Sequence, residues 1–177
     1  LNLVSLTGCR YHAAHISTAS SIDAIRRAKS KGLNVTADTS PAYFLLNDKA
    51  TSNFNTSVRL NPPLRDEEDR LAIIDAIADG TIDAITSDHH PVEMDRKMLP
   101  FGQAAPGAAG VETLLPLAFS LFHTHSVSLT KIVKALSVAP AEALSLPIPS
   151  LAIGKKANIT IVKLSSSSVI RGSNFMS

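Results

Sequence analysis

"YHAAHISTASSIDAIRRAKSKGLNVTAD", residues 11–38, decides how this chain folds. Its first seven residues are short and mostly apolar and read as a buried strand. In "ASSIDAIRRAKSKG", Ser20 or Ser21 is placed to cap a helix, Asp23 sits in its first turn, and Ile22, Ile25 and Ala28 share one face. Gly32 stops that helix. "LNVTAD" (33–38) then resumes as a second strand. Strand, helix and strand joined by a short return form the unit of a parallel sheet with right-handed crossovers.

Upstream, "LNLVSLTGCR" reads as the end of a helix stopped by Gly8, so the chain is expected to be part of something longer. Downstream, "PAYFLLND" reads as a short helix and "TSNFNTS" as a loop. In "SVRLNPPLRDEEDR" a Pro-Pro break precedes a helix start, with Asp66, Glu67 and Glu68 where the helix dipole favours anions. That helix runs to about Asp79 with Leu71, Ile74 and Ile77 toward one side, and Gly80 ends it. "TIDAITS" (81–87) is a third strand. Residues 88–110 form a long loop, and long loops inside domains usually have a task. "VETLLPLAFSLFHTH" is an apolar helix, and "SLTKIVKALSVAPAEALSL" gives a helix capped at Ser128 and a short one after Pro140. "GKKANITIVKL" ends in a strand, and the tail is polar. No internal repeat is present. Three strands do not close a barrel, so the better account is a segment of a larger (β/α) barrel, which takes about 250 residues.

The 177 residues are 45% hydrophobic and 18% charged, which excludes a disordered or fibrous chain. A net charge of +2 without a basic run gives no reason to invoke nucleic acid. Cys9 is the only cysteine, so no intrachain disulfide forms, and a reducing, cytoplasmic setting fits. No apolar stretch reaches the length of a membrane span, and no signal-peptide pattern occurs.

His15 lies near the C-terminal end of the first strand and Asp88 just past that of the third. In parallel α/β folds ligands bind at that edge. An imidazole and a carboxylate are sound ligands for zinc, although a catalytic zinc takes about three protein ligands plus water. The alternative is that both bond loop backbone. His12, three residues before His15, turns to the opposite face of a strand and is expected to pack or support. His89 or His90 is placed to orient the carboxylate or a ligand. Asn61, ahead of two prolines, either reads a substrate amide or bonds its own turn. Arg65 is expected to pair with Glu68 or Asp69.

Five ordered blocks carry a resemblance: "YHAAHIST", "RRAKSKGLNVTAD", "VRLNPPLRDEEDR", "DGTIDAITSDHHP" and "PFGQAAPGAAGVETLLP". Together they resemble dihydroorotase, in the class I branch of the cyclic amidohydrolases. "LAIGKKANITIVKL" is similar to that family's returning C-terminal strands. Hydantoinases and allantoinases share the "PPLR"-like and Asp-His blocks. The resemblance implies an α/β fold, the C-terminal segment of a (β/α)8 TIM-type amidohydrolase barrel. Residues 1–148 are then a partial barrel, and 149–177 a returning β segment of a small composite domain with a polar tail.

The same resemblance implies a zinc-dependent hydrolase of pyrimidine biosynthesis that interconverts N-carbamoyl-L-aspartate and dihydroorotate, with one or two Zn2+ ions. His15 matches a metal ligand of the sixth barrel strand, and Asp88 matches the eighth-strand aspartate, metal ligand and general base. Asn61 matches a substrate-binding asparagine, and Phe101 and Gly102 the loop over the substrate. Three features depart from the family. The His-x-His pair of its first strand, the bridging lysine or aspartate of its fourth and the histidine of its fifth are absent, and would lie upstream of Leu1. Val92 stands where a histidine is common, and Ala42 and Tyr43 replace a histidine pair. The chain alone is therefore expected to bind zinc weakly and not to turn over. Alternatives are a noncatalytic scaffold for aspartate transcarbamoylase, or a hydantoinase- or allantoinase-type enzyme. Homo-oligomerisation is compatible with each.

Overall fold

The structure, a computed structural model, describes residues 1–125, 127–148, 150–166 and 169–176. Helix α1 (Asn2–Thr7) ends on Gly8, whose φ of 66° is left-handed. Strand β1 (Tyr11–Ala13), helix α2 (Ala19–Ser30) and strand β2 (Val35–Thr39) follow. Next come α3 (Pro41–Leu45), α4 (Glu67–Asp79) and strand β3 (Ala84–Ile85). Short α5 (Met94–Lys97) lies within the long 88–110 connection, ahead of α6 (Leu114–His125). Helix α7 (Leu129–Val133) continues through a π turn (Lys134–Val138) into α8 (Ala139–Ala143), so Pro140 does not break it.

The sheet has the order β1-β2-β3 and is parallel throughout. His12 pairs with Thr36, and Asp38 with Ala84. Alternation along β2 sends Val35, Ala37 and Thr39 to one face and Thr36 and Asp38 to the other. The first face is buried under Ile22 and Ile25 of α2 and Ile73 and Ile77 of α4. The second face carries His12, Thr36 and Asp38 and is polar. A sheet with one apolar and one polar face, helices on the outside, is the wall of a (β/α) barrel left open on both edges.

Local chemistry corrects several expectations. Thr18, not Ser20 or Ser21, caps α2, its side chain accepting from the Ser21 N–H. Asp69 also reaches that terminus and accepts the Ala19 N–H at 2.7 Å. Asp69 is thus engaged away from Arg65, which forms no ion pair among the described residues with it or with Glu68. On α4 the buried side chains are Ile73, Ile74, Ala76 and Ile77, while Leu71 is 44% exposed. The 3.6-residue period centres the buried stripe on the i, i+4 pair Ile73 and Ile77, which leaves Leu71 on the far side.

The strands are shorter than the apolar runs. β1 stops at Ala13 because the chain turns through His15, and β3 holds two residues between the turns at Gly80 and Asp88. No strand forms in "GKKANITIVKL". Ile159 and Ile161 are exposed, and Val162, Lys163 and Leu164 lie across Leu115, Phe119 and His123 of α6. A strand needs a laddered partner, and none of the described residues offers this segment one. Among the described residues no helix is long and apolar enough to cross a membrane.

Candidate active site at the carboxyl edge of the sheet

Three loops leave the C-terminal ends of β1, β2 and β3, and two of them turn sharply. His15 has φ 55° and Asp88 φ 46°, left-handed values that side chains other than glycine rarely adopt. Backbone of this kind costs about 1–3 kcal/mol per residue and concentrates at ligand sites. The turns swing both side chains over the mouth of the sheet. His15 Nε2 and Asp88 Oδ1 lie 3.6 Å apart.

That distance exceeds a hydrogen bond. It matches two ligands of one ion, because zinc bonds of about 2.0–2.2 Å in a tetrahedral set put neighbouring donors about 3.4 Å apart. The chemistry also fits, imidazole nitrogen and carboxylate oxygen being ordinary zinc donors. Among the described residues no group of three or more His, Cys, Asp or Glu side chains is arranged to hold a metal. His15 Nε2 and Asp88 Oδ1 are thus two zinc-type donor atoms at ligand spacing, with no third beside them among the described residues.

Burial raises the Asp88 carboxyl above its usual range, and Asp38 pushes in the same direction, while His15 and His90 oppose. The carboxylate is 22% exposed. A carboxylate made more basic than normal is a better proton acceptor.

Behind this pair lies Asp38, which the sequence offered only as the end of "VTAD". Its side chain is 6% exposed. Oδ1 accepts the His15 backbone N–H at 2.8 Å and the Thr86 hydroxyl at 3.3 Å. Oδ2 accepts from His12 Nε2 at 2.8 Å. His12 Nδ1 is 2.7 Å from the Thr36 hydroxyl. His12 and His15 thus converge on one carboxylate instead of facing apart. Strand alternation stops applying at Ala13, and the left-handed turn at His15 brings its backbone and ring round to Asp38. A buried acid ending a strand beside two histidines was the available signal.

The remaining candidates are distributed differently. Asp88 lines a mostly apolar cavity of about 330 Å³ with Ser40, Leu45 and Leu117. Asn61 and Phe101 line a second cavity of about 480 Å³. Leu60 borders both. The structure therefore joins His15 to Asp88, and Asn61 to Phe101, in adjoining spaces. The Gly102 carbonyl accepts from Arg59 at 3.2 Å, and Arg59 also donates to the Ala104 carbonyl. Phe101 meets Phe54 edge-on, ring centroids 6.2 Å apart. The 98–107 stretch is thus clamped down on the segment that carries Asn61.

Tyr43 is buried, and its hydroxyl donates to the Pro62 carbonyl at 2.9 Å. It fixes the loop next to Asn61, across a cis Asn61–Pro62 bond. Burial, with the negative charge of Asp88, keeps that phenol protonated.

Neither His89 nor His90 hydrogen-bonds Asp88 among the described residues. His89 Nδ1 accepts the N–H groups of Gly110 at 3.2 Å and Val111 at 3.3 Å, stapling the end of the long loop. The His90 N–H donates to the Ala108 carbonyl at 2.9 Å. A Cβ on Gly110 would meet the Ser87 carbonyl oxygen at 2.3 Å, so the loop seats beside Asp88 only with glycine there.

Residues 3–175 match the model of the amidohydrolase family. The chain is 40% identical over 177 residues to a dihydroorotase of Syntrophus aciditrophicus, covering all of this chain and 42% of that protein. It is 43% identical over 162 residues to a dihydroorotase of Anaplasma phagocytophilum, covering 92% of this chain and 36% of that protein. The chain thus spans about two fifths of the length of these relatives. The fold superposes on a dihydropyrimidinase from Brevibacillus agri with a TM-score of 0.79 at 24% identity, over 88% of this chain and 36% of that one.

Proposed function

Since the chain belongs to the amidohydrolase family, we propose that it serves a zinc-dependent cyclic amide hydrolase of the class I dihydroorotase kind, acting on N-carbamoyl-L-aspartate and dihydroorotate. The observation that carries this reading is the His15–Asp88 pair, 3.6 Å apart on two left-handed turns at the carboxyl edge of a parallel sheet. Similarity to dihydroorotases at 40% and 43% identity supports the substrate class.

His15 Nε2 and the Asp88 carboxylate would hold the ion. When bound, a divalent metal makes a water acidic and polarises a ring carbonyl. Asp88 takes the proton of the attacking water and returns it to the leaving amide nitrogen. Asn61 and the Phe101–Gly102 loop contact the substrate, held in place by Tyr43 and Arg59. The apolar walls of the Asp88 cavity limit competing water. With two donors in hand, the 177-residue chain binds zinc weakly and does not turn over by itself.

The test is a graft in which this chain replaces the matching part of the Syntrophus aciditrophicus relative, which supplies the rest of a barrel. The graft should cyclise N-carbamoyl-L-aspartate, and Asp88→Asn should lower the rate by at least about 10³. A folded, zinc-loaded graft that hydrolyses hydantoin or allantoin but not dihydroorotate would move the substrate to those amides. A folded, inert graft would favour a scaffold, whose partner of interest is aspartate transcarbamoylase.

A further inference from the structure

Asp38 makes one contact fewer than its position allows. Its Oδ1 lies 3.4 Å from His15 Nδ1, and that nitrogen is buried with no hydrogen-bond partner among the described residues. The same oxygen already accepts the His15 backbone N–H at 2.8 Å, and the Asp38 carbonyl accepts the Ile16 N–H at 2.8 Å. One residue thus holds the turn at His15 by backbone and side chain together. Its other oxygen is fixed by His12, and Thr86 braces it from β3. The carboxylate cannot swing away, and a small rotation of the His15 ring closes the gap.

We propose that Asp38 is the positioning residue of this site: it holds the proton of His15 on Nδ1, leaves Nε2 bare toward Asp88, and is itself held by His12. This rests on the reading of His15 as a metal ligand. Imidazole binds a metal through an unprotonated nitrogen, and the partner of the other nitrogen decides which one that is. A carboxylate only accepts, so Asp38 selects the Nδ1–H form. His12, facing the same carboxylate through Nε2, must carry its proton on Nε2. The two histidines therefore hold opposite tautomers across one buried acid.

The tautomers are read directly on the metal-free, 15N-labelled graft described above by long-range 1H–15N correlation, at about pH 8.5, where ordinary imidazoles are neutral. The unmutated graft should show His15 protonated on Nδ1 and His12 on Nε2. In Asp38→Asn the one remaining oxygen stays with the His15 backbone N–H, so the amide faces His12. His12 should then move its proton to Nδ1, the neutral oxygen should hold the His15 Nδ1 proton less firmly, and zinc chloride should bind about 10–100-fold more weakly. A wild-type His15 protonated on Nε2 overturns the proposal without any variant being needed. Unchanged tautomers and zinc affinity in folded Asp38→Asn also overturn it. If the wild-type tautomers are as described but zinc shifts neither His15 nor Asp88, the metal reading fails while the positioning by Asp38 stands.

Discussion

His15 and Asp88 are costly residues to keep. Each sits in left-handed backbone, and Asp88 is partly buried with a carboxyl that burial makes harder to ionise. Among the described residues neither side chain makes a hydrogen bond. Asp88→Gly relieves the backbone and removes the buried charge, so the variant should unfold at the same or a higher urea concentration, by up to about 1 kcal/mol. Stability and function would then be opposed at that residue. A clear loss of stability would mean that Asp88 is architectural. Both residues were legible in the sequence, because strand ends in a βαβ pattern point to one edge. The left-handed turns were not, since neither position is glycine. Asp38 was hidden for another reason: its role comes from two histidines that strand alternation alone places on opposite faces.

At the scale of elements, the helix stops and the cap of α7 were legible, while the cap of α2 was misplaced from Thr18 to Ser20 or Ser21. Gly8, Gly32 and Gly80 follow helices α1, α2 and α4 with positive φ, and Ser128 caps α7. Strand length was not legible, because an apolar run does not record where a ladder ends. The start of α4 shows how a local cluster stabilises a connection. Glu67 bonds the Arg70 guanidinium at 2.5 and 2.8 Å and the Asn47 amide at 2.8 Å, tying the helix to the loop ahead of it. The Arg70 hydrogen bonds, then that of Asn47, lower the Glu67 carboxyl from 4.5 to about 2. The folded value lies below the unfolded one, so the ionised group favours folding above about 4.5, and this is lost as pH falls toward about 2. Glu67→Gln should therefore be less stable than wild type at neutral pH, with the difference closing across that window. Because the site is exposed, salt should shrink the difference. Parallel acid limbs for the two proteins would rule this out.

Over the whole molecule the sheet stays open. β1 and β3 each have one unpaired edge among the described residues, and His12 and Thr36 of the polar face border an open cavity beside Ala139 and Glu142 of α8. Apolar side chains also remain in water, Leu6 at 81% and Leu151 at 85% exposure among them. Open edges and exposed apolar groups favour association. The isolated chain should bind the dye ANS and self-associate at micromolar concentration, as sedimentation and fluorescence would record. A monomer with a sharp melt and no dye binding would contradict that. The open barrel wall followed from counting three strands. The course of 149–177 did not, because its strand-like pattern finds no partner among the described residues. We propose that this segment pairs as the returning strands of a small β domain when such a partner is present.

If His15 and Asp88 are two ligands of one ion, a bound zinc touches both. A crystal of the graft soaked in zinc and measured at the zinc absorption edge tests it directly. An anomalous peak is expected within about 2.0–2.2 Å of both His15 Nε2 and an Asp88 oxygen. A zinc-loaded crystal whose peak touches only one of them, or neither, would contradict it.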